Sequence, residues 1–197
     1  MRVLVIFCHP AEDSFNGAIY RTVLKALGDA GHQVRSHDLY RENFQAVMSE
    51  AEWSSYAMTT EPLLSRSAVH IDDLRWCEAL ITIYPTWYYG PPAMMKGWIE
   101  RVWLPGVSFS VAPGKGKIAN LLLKNIKVFV GITTSGSPGW WLGLIGDPGR
   151  KLWTRGLFMR MLTGTRTIWL QLYNMNHTTA RGRERFLERI DARLRRL

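Results

Sequence analysis

The chain has 197 residues, 47% of them hydrophobic, and a formal net charge of +9 at pH 7 with a pI of about 9.9. That length and apolar content imply a single domain over residues 1–197 with a full core. The apolar runs fall well short of a membrane span, and Arg2 with Val3 opens a strand rather than a secretory leader. Two cysteines, Cys8 and Cys77, cannot make a disulfide framework and suit a reducing, cytoplasmic setting.

Residues 3–7 (Val-Leu-Val-Ile-Phe) are a continuous apolar, β-branched run, the pattern of a strand buried on both faces. The run breaks at Cys8-His9-Pro10. Helical periodicity then starts, with Phe15, Ala18, Ile19, Val23, Ala26 and Leu27 on one stripe and Asp13 or Ser14 placed to cap it. A buried strand feeding a helix N-terminus makes an anion site, because the free N–H groups of the first turn and the helix dipole both favour negative charge. His9, Ser14 and Asn16 add an imidazole, a hydroxyl and an amide that can donate to phosphate oxygens, with Asn16 expected at a solvent-facing helix start.

The helix ends near Gly31, and Gln33 to Leu39 is a more polar strand suited to a sheet edge. Residues 40–62 show no strong period, with Trp53, Tyr56 and Met58 as the large apolar anchors. Val69, Ile71, Leu74 and Trp76 suggest a short helix leading into a second buried strand, Ala79 to Tyr84, which stops at Pro85. The following loop, Pro85-Thr86-Trp87-Tyr88-Tyr89-Gly90-Pro91-Pro92, holds three consecutive aromatics. They form either a buried hydrophobic staple or a flat wall for a planar ligand. Its prolines fit the first turn of a helix bearing Met94, Met95, Trp98, Ile99, Val102 and Trp103.

Residues 107–125 are loop-rich. Within them Gly114-Lys115-Gly116-Lys117-Ile118-Ala119 matches the letters of a dinucleotide fingerprint, but no buried strand feeds it and no acid follows some twenty positions on, so it reads as a basic turn. Ile126 to Thr133 is the third buried strand. It runs into Thr134-Ser135-Gly136-Ser137-Pro138-Gly139-Trp140-Trp141, where small residues let backbone N–H groups approach a ligand. Residues 147–163 suggest a helix interrupted at Gly156, and Arg166 to Tyr173 is the last strand. The terminal helix puts Phe186, Leu187, Ile190, Leu194 and Leu197 on one face. Arg181, Arg183, Arg185, Arg189, Arg193, Arg195 and Arg196 make up its solvated side. The plain reading is a solvated basic face. The alternatives are weak peripheral attraction to an acidic membrane surface, or a non-enzymatic anion- or nucleic-acid-binding protein.

Strands alternating with helices imply an α/β, doubly wound, five-stranded parallel sheet of order 2-1-3-4-5 with helices on both faces. In that order the loops after the first, third and fourth strands meet at one sheet edge. They offer phosphate donors, an aromatic wall, and hydroxyls with backbone N–H groups, a set that suits a planar ring with a phosphate tail.

These residues also resemble a known family. His9-Pro10, Ser14-Phe15-Asn16-x-Ala18, Tyr84-Pro85 with its aromatics, Gly90-Pro91-Pro92-Ala93, Lys96-Gly97-Trp98-x-x-Arg101-Val102 and Thr133-Thr134 with Gly136 are similar to the flavodoxin-like NAD(P)H:quinone oxidoreductases. The likeness runs from residue 1 to about 140. It implies bound FAD, or FMN, with NAD(P)H as co-substrate and a quinone-like acceptor. It also implies a homodimer with the flavin at the subunit interface, no resident metal and no nucleic acid. By the same resemblance, His9, Ser14, Phe15 and Asn16 hold the flavin phosphate. Pro85, Thr86, Trp87, Tyr88 and Tyr89 run along the isoalloxazine, and Thr133, Thr134, Ser135 and Gly136 lie near its pyrimidine end. Catalytic contributions are expected from Tyr88, Tyr89 and Trp141. Well-known members place a Tyr and a His just after the third loop; here Trp140 or Trp141 and Asp147 stand there instead. A same-fold alternative is an ancillary, regulatory subunit of a potassium-efflux transporter. Nine tryptophans, several in loops, are a separate argument for a homodimer.

Overall fold

The computed structural model describes residues 1–56, 67–110, 120–157 and 164–197. From the N-terminus, β1 (Arg2–Phe7) leads to α1 (Phe15–Asp29), β2 (Gln33–Asp38), α2 (Glu50–Ser55), α3 (Ala68–Trp76), β3 (Ala79–Pro85) and α4 (Ala93–Val102). A short antiparallel ribbon, β4 (Phe109–Ser110) with β5 (Asn120–Leu121), precedes β6 (Val128–Thr134). Then come α5 (Gly139–Leu144), α6 (Pro148–Lys151), a π-helical turn (Leu152–Leu157), β7 (Arg166–Leu172) and α7 (Ala180–Leu194). The basic turn at 114–119 lies outside the described residues.

The main sheet has the spatial order β2-β1-β3-β6-β7 with every pairing parallel. Counting only its own strands, that is 2-1-3-4-5, the flavodoxin-like arrangement expected. Alternation along β1 shows why the sheet is covered twice. Val3, Val5 and Phe7 pack with Ile19, Val23, Ala26 and Leu27 of α1 and with Phe186, Ile190 and Leu194 of α7. Leu4 and Ile6 face the other way, onto Ile71 and Leu74 of α3 and Met95, Trp98 and Val102 of α4. Each such fully buried aliphatic side chain contributes roughly 1.5–3 kcal/mol of burial. β2, polar and at the edge, buries only His37 fully. In β6, Gly131 sits beneath its neighbour Trp169, whose ring a Cβ would meet at 2.2 Å, so the strand has no room for a side chain there.

Ends of helices follow local chemistry. Ser14 caps α1 by accepting from the Gly17 N–H at 3.1 Å. At the far end Gly31 is left-handed (φ 74°), and the Gly31 and His32 N–H groups donate to the Gly28 and Leu27 carbonyls, a Schellman motif. The arginines of α7 are mostly exposed, while Arg195 bonds Asp191 and Asp29 at 2.7 and 2.6 Å and ties α7 to α1. None of the described helices is long and apolar enough to cross a membrane.

Several expectations need correction. Trp53 is 71% exposed and anchors nothing; the residue that docks α2 is Glu52, buried against Arg101 of α4, which also donates to the Gln45 carbonyl. Val69 faces solvent, because only one side of α3 meets the sheet. The helix expected over 147–163 is helical from Pro148 to Leu157, as the four-residue α6 and the π-helical turn that continues it, while residues 158–163 lie outside the described residues. That turn buries Trp153 against Phe129 and lets its Nε1 donate to the Tyr84 hydroxyl at 2.8 Å. Cys8 and Cys77 are both buried and unpaired, and burial pushes each thiol up to about 12.

Candidate active site

Strand order reverses between β1 and β3, and α1 and α4 leave them on opposite faces of the sheet. Such reversals are where parallel sheets bind ligands. A crevice of about 370 Å³ opens at this edge, lined by Thr86, Tyr88, Tyr89, Ser135, Gly136, Ser137 and Leu142. That volume is within the usual range of small-molecule sites.

The loop after β1 stands beside the crevice and is tied to it by one buried side chain. Asn16, only 3% exposed, donates through Nδ2 to the Thr134 hydroxyl at 3.1 Å, across 118 positions of sequence. Its Oδ1 is buried with no partner. Rotating the amide by 180° exchanges the two atoms without losing the link, since the Thr134 hydroxyl can donate instead. Either way one polar atom of Asn16 is left without a partner among the described residues. The expectation of a solvent-facing Asn16 is therefore corrected. The N–H groups of Phe15 and Asn16, in the first turn of α1, also have no partner among the described residues. The Phe15 ring points into the core, 6.4 Å from Phe186, so this residue meets a ligand only through its backbone. His9 Nδ1 lies 2.9 Å from the Ala11 carbonyl oxygen and 3.0 Å from the Ala11 nitrogen, which fixes the ring against its own loop and leaves Nε2 without a partner among the described residues.

The loop after β3 is a tight reverse turn. Trp87 and Gly90 bond each other both ways at 3.0 Å, and the two residues between them, Tyr88 (φ 46°) and Tyr89 (φ 65°), are both left-handed. For bulky residues this costs of order 1–3 kcal/mol each, strain that persists only where the surroundings fix it. Gly149 is one of those surroundings: a Cβ there would meet the Tyr89 carbonyl at 2.9 Å. The turn displays its aromatics rather than stapling them, with Trp87 44%, Tyr88 wholly and Tyr89 38% exposed. Tyr88 and Tyr89 line the crevice; Trp87 does not. Trp141 Nε1 donates to the Tyr89 hydroxyl at 3.2 Å.

The loop after β6 is fastened on both sides. Thr86 donates its N–H to the Thr134 carbonyl at 2.7 Å, and its hydroxyl bonds that of Thr133 at 2.8 Å. Pro85 pairs with Thr134 in the sheet. The Ser135 N–H is spent on the Leu172 carbonyl and its hydroxyl on the Ser137 carbonyl, while the N–H groups of Gly136 and Ser137 have no partner among the described residues. Asp147 is left-handed and caps α6 by accepting from the Arg150 N–H.

The structure thus gathers Thr86, Tyr88, Tyr89, Ser135 and Gly136 around one cavity. Pro85, Thr133, Thr134 and Asn16 lie as its supports, Trp141 touches it through Tyr89, and His9, Ser14 and Phe15 form the adjoining helix start. Ser137, from the loop already read as a ligand-approaching one, also lines the cavity, and Leu142 is a cavity residue that the sequence did not single out, the one buried position of α5. The donor set fits a flavin: free first-turn N–H groups for a phosphate, two further loop N–H groups for a ring edge, and an unpartnered buried amide.

The flavodoxin-like fold family matches residues 1–193. Over 120 residues (54% of this chain) the sequence is 32% identical to the ribosyldihydronicotinamide dehydrogenase-like protein traD of Penicillium crustosum, and spans about half, 45%, of that protein's length. It is 28% identical to rat NAD(P)H dehydrogenase [quinone] 1 over 207 aligned positions, covering 95% of this chain and 74% of the rat protein. Among solved structures, the NAD(P)H:quinone oxidoreductase from Methanothermobacter marburgensis superposes with a TM-score of 0.83 at 26% identity, over 99% of this chain and 96% of that one.

Proposed function

This chain belongs to the flavodoxin-like fold family, and on that premise we propose that it is a flavin-dependent NAD(P)H oxidoreductase acting on quinones or similar planar acceptors. The observation that carries the reading is the convergence of three strand-end loops on one crevice, with unsatisfied donors and one orphaned buried amide atom pointing to a missing partner. The names of the relatives support the same chemistry.

Bound flavin supplies the hydride chemistry; the chain binds, orients and excludes water. The Phe15 and Asn16 N–H groups, at the positive end of α1, would hold the flavin phosphate. The Gly136 and Ser137 N–H groups would donate to the electron-rich edge of the ring, where fixed donors favour negative charge. Tyr88 and Tyr89 form one wall. The Tyr89 hydroxyl accepts from Trp141 and keeps its own O–H, so it can hold a proton at Oη toward an acceptor carbonyl.

FAD is the proposed cofactor, with FMN the other flavin the donor set accommodates, and the protein is proposed to work in the cytoplasm as a homodimer. Support for the dimer comes from exposed apolar side chains around the crevice: Trp87, Tyr88, Trp140, Trp141, Leu144 and Ile145. A second copy would cover them and complete the cavity wall. The test is direct. Purified protein is expected to be yellow, to release one flavin per chain on denaturation, identified by mass, and to oxidise NAD(P)H in the presence of a quinone. Protein that stays colourless and gains no heat stability from either flavin would end this reading.

A further inference from the structure

We infer that His37, Glu42 and His70 form a binding site for a zinc-like divalent transition-metal cation, distinct from the crevice. His37 is the next-to-last residue of β2, Glu42 follows in the turn beyond it, and His70 projects from α3. His37 Nδ1 lies 2.9 and 3.2 Å from the two Glu42 oxygens, and His70 Nε2 lies 3.4 Å from Glu42 Oε2. One donor atom from each of the three falls within 4.8 Å of the others. Two metal bonds of about 2.0–2.2 Å at a tetrahedral angle separate their donors by roughly 3.3–3.6 Å, so small side-chain movements suffice.

Two imidazoles and one carboxylate are the ligand set of a tetrahedral site with one open position. Burial fits that geometry. The histidines are 7% and 9% exposed, whereas the Glu42 side chain is 36% exposed and provides the route in. The support around the ligands fits too. His37 Nε2 bonds Asp73 Oδ2 at 2.8 Å, and Asp73 Oδ1 is held by Arg35 at 2.6 Å. A carboxylate on the far nitrogen is what fixes a metal-binding histidine and raises its basicity. The two imidazole rings lie 4.0 Å apart, centre to centre.

One contact opposes the ion. Trp98 Nε1 stands 3.3 Å from His70 Nδ1, and an indole nitrogen only donates. In the metal-free chain Nδ1 therefore accepts and the His70 proton sits on Nε2. A cation at Nε2 displaces that proton, Nδ1 takes one up, and the Trp98 bond is lost. Trp98 accordingly sets the affinity from outside the ligand set, and that gives the proposal its sharpest test.

Chelator-treated protein titrated with Zn(II) by calorimetry, and with Co(II) by visible absorption, should bind one ion per chain and give the d–d spectrum of a tetrahedral cobalt site. Glu42→Gln, a change at an exposed side chain that should fold normally, should weaken binding at least about tenfold. His70→Gln should abolish it, and Trp98→Phe should tighten it. Absence of saturable one-to-one binding, or binding that Glu42→Gln leaves unchanged, would overturn the site and leave the cluster as a histidine–carboxylate clasp between β2 and α3. Neither result depends on flavin content.

Discussion

The indole nitrogen of Trp141 donates to the hydroxyl of Tyr89 across 3.2 Å, joining α5 to the strained turn after β3. Trp141→Phe keeps the ring and removes that donor. One such bond is worth about 0.5–1.5 kcal/mol, or roughly two- to tenfold in rate if it is made in the transition state. Anaerobic stopped flow should show that loss in the transfer to quinone, with flavin reduction by NAD(P)H nearly unchanged. Equal losses in both half-reactions would place Trp141 in the scaffold.

Asn16→Ala should act twice. Removing the link to Thr134 should lower the stability of the flavin-free protein by about 1–2 kcal/mol, read by urea titration. Flavin affinity should fall about tenfold or more, because the amide atom left unpartnered in the fold is then gone. A stability loss with unchanged flavin affinity would assign Asn16 to the fold alone.

Tyr88 is wholly exposed yet left-handed. Tyr88→Gly should relieve the backbone and raise stability by up to about 1–2 kcal/mol. The same change strips one wall of the crevice, so KM for aromatic quinones should rise. A thermal melt and a kinetic titration read the two effects separately.

Glu52→Gln should be severe for a residue so far from the crevice. It leaves the Arg101 guanidinium buried without its counter-charge, at a cost of about 3–5 kcal/mol. Burial pushes the Glu52 carboxyl up, but bonds from Ser49 and Arg101 more than offset this and hold it below its ordinary value. The unfolded chain therefore takes up a proton first as pH falls. The pair's stabilisation is full above the ordinary carboxylate range and disappears as pH drops through the lowered folded value. Urea midpoints of the wild type and Glu52→Gln should converge there.

His70 has the opposite charge logic and the same direction. Its folded value of about 4 lies below the unfolded one near 6.5, so between them the unfolded chain is protonated and the native one is not. Stability is full above about pH 7 and falls as pH is lowered toward 4, by on the order of 3 kcal/mol. In chelator-containing buffer, His70→Gln should flatten that slope.

The sheet was legible because its strands carry their burial in their own residues. The runs at 3–7, 79–84 and 126–133 are apolar at nearly every position, and the polar β2 declares an edge. The stripe of α1 and its Ser14 cap were equally local. What escaped depended on distant partners. Nothing near Glu52 shows that Arg101, 49 positions on, will bury it while Trp53 turns outward. Asn16 read as exposed because Thr134 is 118 positions away. The helix α5 (Gly-Trp-Trp-Leu-Gly-Leu) has no polar face to set a period and no capping hydroxyl, its N-cap being Pro138, so Leu142 could not be identified as a cavity residue. The loop after β3 was found by composition, but its left-handed turn was not, since two tyrosines are poor candidates for it.

Cys8 and Cys77 are the chain's two cysteines, both sealed in the core with thiols pushed up to about 12. Quinones are electrophiles that add to thiolates, and a thiol so buried offers almost none. The enzyme proposed here would thus present its acceptors with no nucleophilic sulfur. It should tolerate high quinone concentrations without arylation, and intact-mass measurement after prolonged turnover should find the chain unmodified at both positions.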